Sequence, residues 1–193
     1  MEKKLTFVRD LKIAELKNIL NLMIKIKYKN RQEFNKLLFK KRKIIFPTRK
    51  SISKKSAGNA LITISNLELV DKNFKLNSRG NKLAMAAKNN QSKFYRYLAN
   101  TLLFVGNWVS IINSINKIEK KDVNPLKALR ELVRNLISIG AIESGVNVND
   151  MAMRIRGNHI KWLEELGLIK INENGVEINK KMLKLIKNNT KMN

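Results

Sequence analysis

No cysteine occurs in this chain of 193 residues, and histidine occurs once, at His159. The first absence excludes disulfides and thiolate–metal sites and fits a reducing, cytoplasmic setting. The second leaves no zinc ligand set unless several carboxylates converge, and no such cluster is visible. Proline is confined to Pro47 and Pro125, and helix-compatible residues dominate, so a mainly α chain is expected. Acids are scarce: 15 Asp and Glu stand against 40 Lys and Arg. Long apolar runs are missing as well. The stretch from Leu98 to Ile115 is interrupted by Asn100, Asn107 and Asn113, and reads as a buried helix rather than a membrane span. Met1-Glu2-Lys3-Lys4 leads into only a short apolar stretch, so no secretory signal is expected.

Positive charge is what the chain has in excess, with a formal net charge of +25. A compact chain with this imbalance repels itself unless a polyanion is usually present. Nucleic acid is therefore the first partner to expect, ahead of an anionic membrane. Abundant Lys, Asn and Ile suit an A/T-rich coding sequence, but that bias does not account for the missing acids. The charge is also uneven: residues 1–50 carry 16 basic and 4 acidic side chains, residues 121–193 carry 13 and 8. An apolar share of 44% is enough for real cores, and the length allows one domain or two small ones.

The chain repeats itself at an offset of 99 residues. Gly58-Asn59-Ala60-Leu61-Ile62-Thr63-Ile64-Ser65-Asn66-Leu67-Glu68-Leu69-Val70 lies on Gly157-Asn158-His159-Ile160-Lys161-Trp162-Leu163-Glu164-Glu165-Leu166-Gly167-Leu168-Ile169. After a three-residue slip the match resumes, with Phe74-Lys75-Leu76-Asn77 on Val176-Glu177-Ile178-Asn179. Each copy reads as a helix with apolar residues three apart, then a short strand, a polar turn and a second strand.

The elements before each copy are helical. Residues 10–28 place Ile13, Leu16, Ile19, Leu20, Met23 and Ile26 on one face. Asn30, with Glu33 three residues on, looks like the start of a second helix. Residues 40–50 read as a basic loop because Pro47 disfavours a continuing helix. A third helix is expected from Ser51 or Ser53 to Asn66, strands at 69–72 and 74–77, and a helix capped by Ser78. A single long apolar helix is expected over 93–117, sandwiched within the chain or buried in a homodimer or against a protein partner. A turn at 120–125, a helix to Gly140, a helix capped by Asn149 or Asp150, a hairpin turning at Asn172–Gly175 and a closing helix from Lys180 complete the reading. The fold class is thus mainly α with small β-hairpins: residues 1–90 form one unit, residues 91–193 the long helix and a second.

If the repeated helix is a recognition helix, its exposed residues face bases and the surrounding cations hold phosphate. In the first copy these are Lys54, Lys55, Ser56, Asn59 and Ile62 or Thr63; in the second, Arg154, Arg156, Asn158 and Lys161. Arg can bond two guanine acceptors and Asn can bond adenine bidentately. Lys40, Lys41, Arg42, Lys43, Arg49 and Lys50 should supply sequence-independent affinity. Lys72 and Lys75 on the first hairpin can touch phosphate, whereas Glu173 and Glu177 make the second hairpin a poorer DNA contact. The Gly-Asn pair has two readings: inside the helix, with glycine permitting close approach, or with Asn59 and Asn158 as helix caps.

No catalytic residue, metal or cofactor is expected. There is no Gly-rich phosphate loop, and His159 lacks an obvious acidic partner for nucleophile activation. Asp10, Glu15 and Lys17 lie on an amphipathic helix rather than converging at a sheet edge as a nuclease would need. Tyr28, Tyr95 and Tyr97 have no arginine–histidine setting.

Phe74-Lys75-Leu76-Asn77-Ser78-Arg79-Gly80-Asn81-Lys82-Leu83 resembles a wing strand running into a helix. Trp162-Leu163-Glu164-Glu165-Leu166-Gly167-Leu168-Ile169 resembles a recognition helix entering its wing. The whole is similar to tandem winged-helix DNA-binding proteins, and over residues 10–187 to the recognition region of type IIS restriction endonucleases, without their cleavage domain. Plasmid replication initiators also use two winged helices. The resemblance implies two winged helix-turn-helix units joined by the long helix, reading an asymmetric duplex site without catalysis. It also leaves open a recognition subunit of a restriction or replication assembly. A protein-docking module is a further alternative, since fold alone does not choose function.

Overall fold

The computed structural model describes residues 4–9, 11–117, 125–172 and 175–184. It is mainly helical, with 66% helix and a small two-stranded antiparallel sheet. The expected turn at 120–125 falls largely, and the expected helix beyond residue 184 wholly, outside the described residues, as do positions 173 and 174 of the second hairpin turn. Two compact units divide the chain: Phe7–Leu98, and Ala99 onward together with the residues up to Thr6.

The Phe7–Leu98 unit begins with α1 (Ile13–Lys25), shorter than the expected 10–28 because Ile26 turns extended. Its start is held by Glu15, whose Oε2 accepts from the Lys12 backbone N–H. Next come α2 (Arg31–Lys40), α3 (Arg42–Ile45), α4 (Lys54–Asn66) and α5 (Ser78–Asn89). Asn30 caps α2, accepting from Glu33 N–H, and Ser53 caps α4, accepting from Ser56 N–H. The basic segment expected as a loop is helical through Ile45. Buried Ile45 and Phe46 anchor it, and only then does Pro47 intervene. The apolar faces meet where α1 packs on α5 and α2 on α4, burying Leu16, Ile19, Leu20, Phe34, Leu38, Leu61 and Ile64.

The hairpin expected at 69–77 is reduced to a single bridge, Val70 with Leu76. A turn consumes the rest: Asp71 Oδ1 accepts from the N–H groups of Asn73 and Lys75, and Phe74 takes φ +62°. Aromatic packing holds that backbone. The Phe74 ring is buried 6.1 Å from Phe34, which lies 4.6 Å from Tyr28. Tyr28 donates its hydroxyl to the Phe74 carbonyl at 3.1 Å. Burial, helped by the Asp71 charge, pushes that phenol up to about 12.

The single helix expected over 93–117 is broken. α6 runs Gln91–Val105, its last turn π-helical, and α7 runs Val109–Lys117. The break falls at Gly106-Asn107-Trp108. Asn107 takes φ +57°, and a β-carbon on Gly106 would lie 2.7 Å from the Leu102 carbonyl oxygen. Asn90 caps α6, accepting from Lys93 N–H. Among the described residues no single helix is long and apolar enough to cross a membrane.

In the other unit α7 packs on α8 (Pro125–Ser138). The next helix, α9, runs without interruption through Val148–Arg154, a π-helical stretch Ile155–Ile160, and Lys161–Glu165. Its cap is Asn147, not Asn149 or Asp150: Asn147 Oδ1 accepts from the backbone N–H of both. The strands β1 (Ile169–Asn172) and β2 (Gly175–Ile178) pair with Ile169 opposite Ile178 and Lys170 opposite Glu177. Hydrogen bonds stitch in the N-terminal residues, among them Leu5 N–H to the Ala141 carbonyl, Thr6 N–H to that of Gly106, and Trp108 Nε1 to that of Thr6.

Candidate nucleic-acid interface

The sequence repeat is also a repeat of hydrogen bonds. At the end of α4, Leu67 N–H donates to Thr63, Glu68 to Ser65 and Leu69 to Ile64. At the end of α9, Leu166 donates to Trp162, Gly167 to Glu164 and Leu168 to Leu163, each 99 positions further on. Both helices stop at a left-handed residue, Glu68 at φ +53° and Gly167 at φ +68°. An asparagine then ties each hairpin back. Asn77 Nδ2 donates to the Glu68 carbonyl at 2.7 Å, and Asn179 Nδ2 to that of Gly167 at 2.9 Å. Their backbone N–H groups return to Leu69 and Leu168. Their Oδ1 atoms accept from Gly80 and Met182, starting α5 and the helical turn 180–184. The cap of α5 is therefore Asn77, where the sequence pointed to Ser78. The two asparagines were alignable in the sequence, but their three-way role depends on hairpin geometry.

The Gly-Asn pair lies inside both helices, which begin at Lys54 and Val148, so neither Asn59 nor Asn158 is a cap. Burial sorts the rest of each helix. Ala57, Ala60, Leu61, Thr63 and Ile64 of α4 face inward, and Thr63 Oγ1 is occupied by the Asn59 carbonyl and Arg9 N–H. Thr63 is thus no reading residue. Lys54 and Lys55 are exposed, and Gly58, Asn59 and Ile62 are half-exposed. On α9, Arg154, Arg156, Gly157 and Lys161 are exposed and Asn158 is half-exposed, while Ile155, Ile160, Trp162 and Leu163 are buried. Residues three and four apart share a helix face. Lys55, Gly58, Asn59 and Ile62 therefore align on α4, while Arg154, Gly157, Asn158 and Lys161 hold the matching positions of α9, through its π-helical stretch, and are exposed or half-exposed. A glycine costs a helix interior roughly 1 kcal/mol relative to alanine.

The single histidine is a core residue. His159 is fully buried, its ring 4.6 Å from that of Trp108, with Nε2 3.4 Å from the Thr6 carbonyl oxygen. Burial pulls its imidazole down to about 4, against weaker opposing hydrogen bonds to the Thr6 and Arg154 backbones, so it is neutral at pH 7.

Of the cations expected to hold phosphate, Lys40, Lys41, Lys43 and Lys50 are exposed. Arg42 is half-buried, donating to the Phe39 carbonyl and lying 4.6 Å over the Phe39 ring. Arg49 is a correction: it is consumed by Glu15 in a buried pair and offers no free charge to a ligand. In the turn between Val70 and Leu76, Lys72 is exposed, whereas Lys75 Nζ sits 3.7 Å over the Tyr28 ring. Beside Lys72 an open concavity is lined by Lys29, Asn30, Arg31, Asn73 and Asp71, among others. Lys29 and Arg31 were not legible as site residues, because no periodicity joins the start of α2 to a turn forty residues later. Glu173 lies outside the described residues. Glu177 stands opposite Lys170 across the sheet. Among the described residues no group of three or more His, Asp or Glu side chains could hold a metal ion. The chain matches no known protein family, no curated protein and no solved structure.

Proposed function

We propose that this chain is a non-catalytic double-stranded DNA-binding protein that reads an asymmetric site with two winged-helix units. One observation carries the reading. Two helices with the same terminal hydrogen bonds run into hairpins, and each keeps a basic residue, a glycine and an asparagine on one accessible face. That set suits a groove: a cation for phosphate or guanine, an amide for adenine, and little bulk between them. The faces differ, with Lys55 and Ile62 on one helix where Arg154 and Lys161 stand on the other. The two heads therefore read different half-sites, as a regulator of an asymmetric sequence requires. Lys40, Lys41, Lys43, Lys50 and Lys72 add sequence-independent attraction. Docking of a protein partner through residues 93–117 finds less support, since Phe94, Leu98, Leu102, Trp108, Ile111, Ile112 and Ile115 are already buried within the chain.

The test is a binding selection from a randomised duplex library at physiological salt. The expected result is an enriched asymmetric motif, one half of which disappears with Lys55→Ala and Asn59→Ala, the other with Arg154→Ala and Asn158→Ala. Absence of any retained duplex sinks the proposal; retention without an enriched sequence removes the two reading heads and leaves backbone binding.

A further inference from the structure

Glycine is scarce here, at eight residues, and two of them, Gly58 and Gly157, stand at matching positions of the repeat where neither close contact nor positive φ calls for glycine. Gly80 and Gly106 are dictated by contact: an added β-carbon would lie 2.0 Å from the Leu69 carbonyl oxygen and 2.7 Å from that of Leu102. Gly140, Gly145 and Gly167 are dictated by positive φ, and Gly175 opens β2 opposite Asn172. Gly58 and Gly157 have neither reason. Both sit in helix interiors, where glycine is disfavoured. Apart from the adjoining residues and the backbone of its own helix, a β-carbon built on either meets no atom within 4 Å. They occupy the same place in the repeat, and Gly157 lies in a π-helical stretch, a local widening common at functional sites.

We propose that Gly58 and Gly157 are the points of closest approach between each repeated helix and DNA, where bare helix backbone packs against the sugar–phosphate wall of the groove. This rests on the DNA-binding reading above and adds how deep the helices sit. Lys55 and Arg154 lie one turn earlier on the same face and draw in a polyanion, whereas a second copy of this positive face would be repelled. Asn59 and Asn158, the next residues, reach base edges only if the helix is not held off by a methyl group at the contact. The two glycines thus position the asparagines through depth.

Gly58→Ala and Gly157→Ala in the full chain test this, with thermal unfolding and affinity measured on the selected duplex and on a random-sequence duplex. Alanine relieves the helix, so Tm should rise by about 2–4 °C. Affinity for the selected duplex should nevertheless fall about tenfold or more in each variant, through lost hydrogen bonds from the asparagines to base edges. Affinity for the random duplex, where long lysines suffice, should fall less than about threefold. Unchanged affinity for the selected duplex overturns the proposal while leaving DNA binding intact. A drop in affinity with a drop in Tm also overturns it, because the glycines then serve packing. So does a shift in sedimentation without a change in DNA affinity, which assigns them to contact between copies. Failure of the unaltered chain to bind any duplex removes both this proposal and the reading on which it rests.

Discussion

Arg49 and Glu15 form a two-pronged pair: Nε donates to Oε1 at 2.6 Å and Nη2 to Oε2 at 2.5 Å. Glu15 is 2% and Arg49 15% exposed. The pair joins the segment after α3 to the first turn of α1, where Glu15 also accepts from Lys12 N–H. An arginine that looks like one more cation in a basic run is thereby a structural residue. Removing one partner strands a buried charge. Arg49→Met should cost about 3–5 kcal/mol in urea unfolding, and the double variant Glu15→Leu with Arg49→Met should recover a substantial part. Simple additivity would contradict this account.

Asn77 and Asn179 each serve a helix end, a hairpin and the next helix start. Asn77→Ala should destabilise by about 1 kcal/mol or somewhat more. Asn77→Asp keeps the cap but loses donation to the Glu68 carbonyl, so it should fall between alanine and the unaltered chain. An Asp variant as stable as the unaltered chain would show that the cap alone matters, and one no more stable than the alanine variant that only the donation to Glu68 does.

The neutral, buried His159 makes stability depend on pH. Its folded value of about 4 lies below its ordinary 6.5 because burial opposes the cation. Below pH 6.5 the unfolded chain binds a proton that the folded chain refuses. Stability is therefore whole above pH 6.5 and is lost as pH falls towards 4, by about 3 kcal/mol in all. Urea midpoints between about pH 6.5 and 5 should decline, and His159→Phe should flatten that decline. An undiminished slope in the variant would assign it to carboxylates.

The proposed DNA binding should be strongly salt-dependent. If six or more phosphates are neutralised, affinity should fall by about 10³ between 50 and 200 mM salt in a titration of a fixed duplex. A nearly flat curve would contradict the reading of the lysine-rich segments.

Cations in the two groups should act differently. Arg154→Ala with Arg156→Ala should relax base preference by about 1–3 kcal/mol at the affected positions. Lys40→Ala, Lys41→Ala and Lys43→Ala together should weaken all sequences alike and lower the salt slope by about three. Competition with mismatched duplexes separates these outcomes, and identical profiles would end the division of labour.

Much of the architecture is local and was legible from the chain alone. Apolar spacing marks α1, α2, α4 and α9, and short polar side chains announce the caps at Asn30 and Ser53, because caps and amphipathic faces depend on neighbours a few residues away. The offset of 99 and the Lys55–Gly58–Asn59 spacing also belong to the sequence. Contacts made across long separations did not. The apolar run breaks at Gly106-Asn107-Trp108, where the backbone lies too close to Leu102 for a side chain at 106, Asn107 turns left-handed and Trp108 bonds to Thr6, none of which periodicity records. The first hairpin shrinks to one bridge because Phe74 leaves the strand to stack on Phe34. His159 falls on the core side and Arg49 is neutralised because partners 153 and 34 residues away reach them. Charge and periodicity set what kind of chain this is; packing decided which of its cations and polar side chains are still free to meet a ligand.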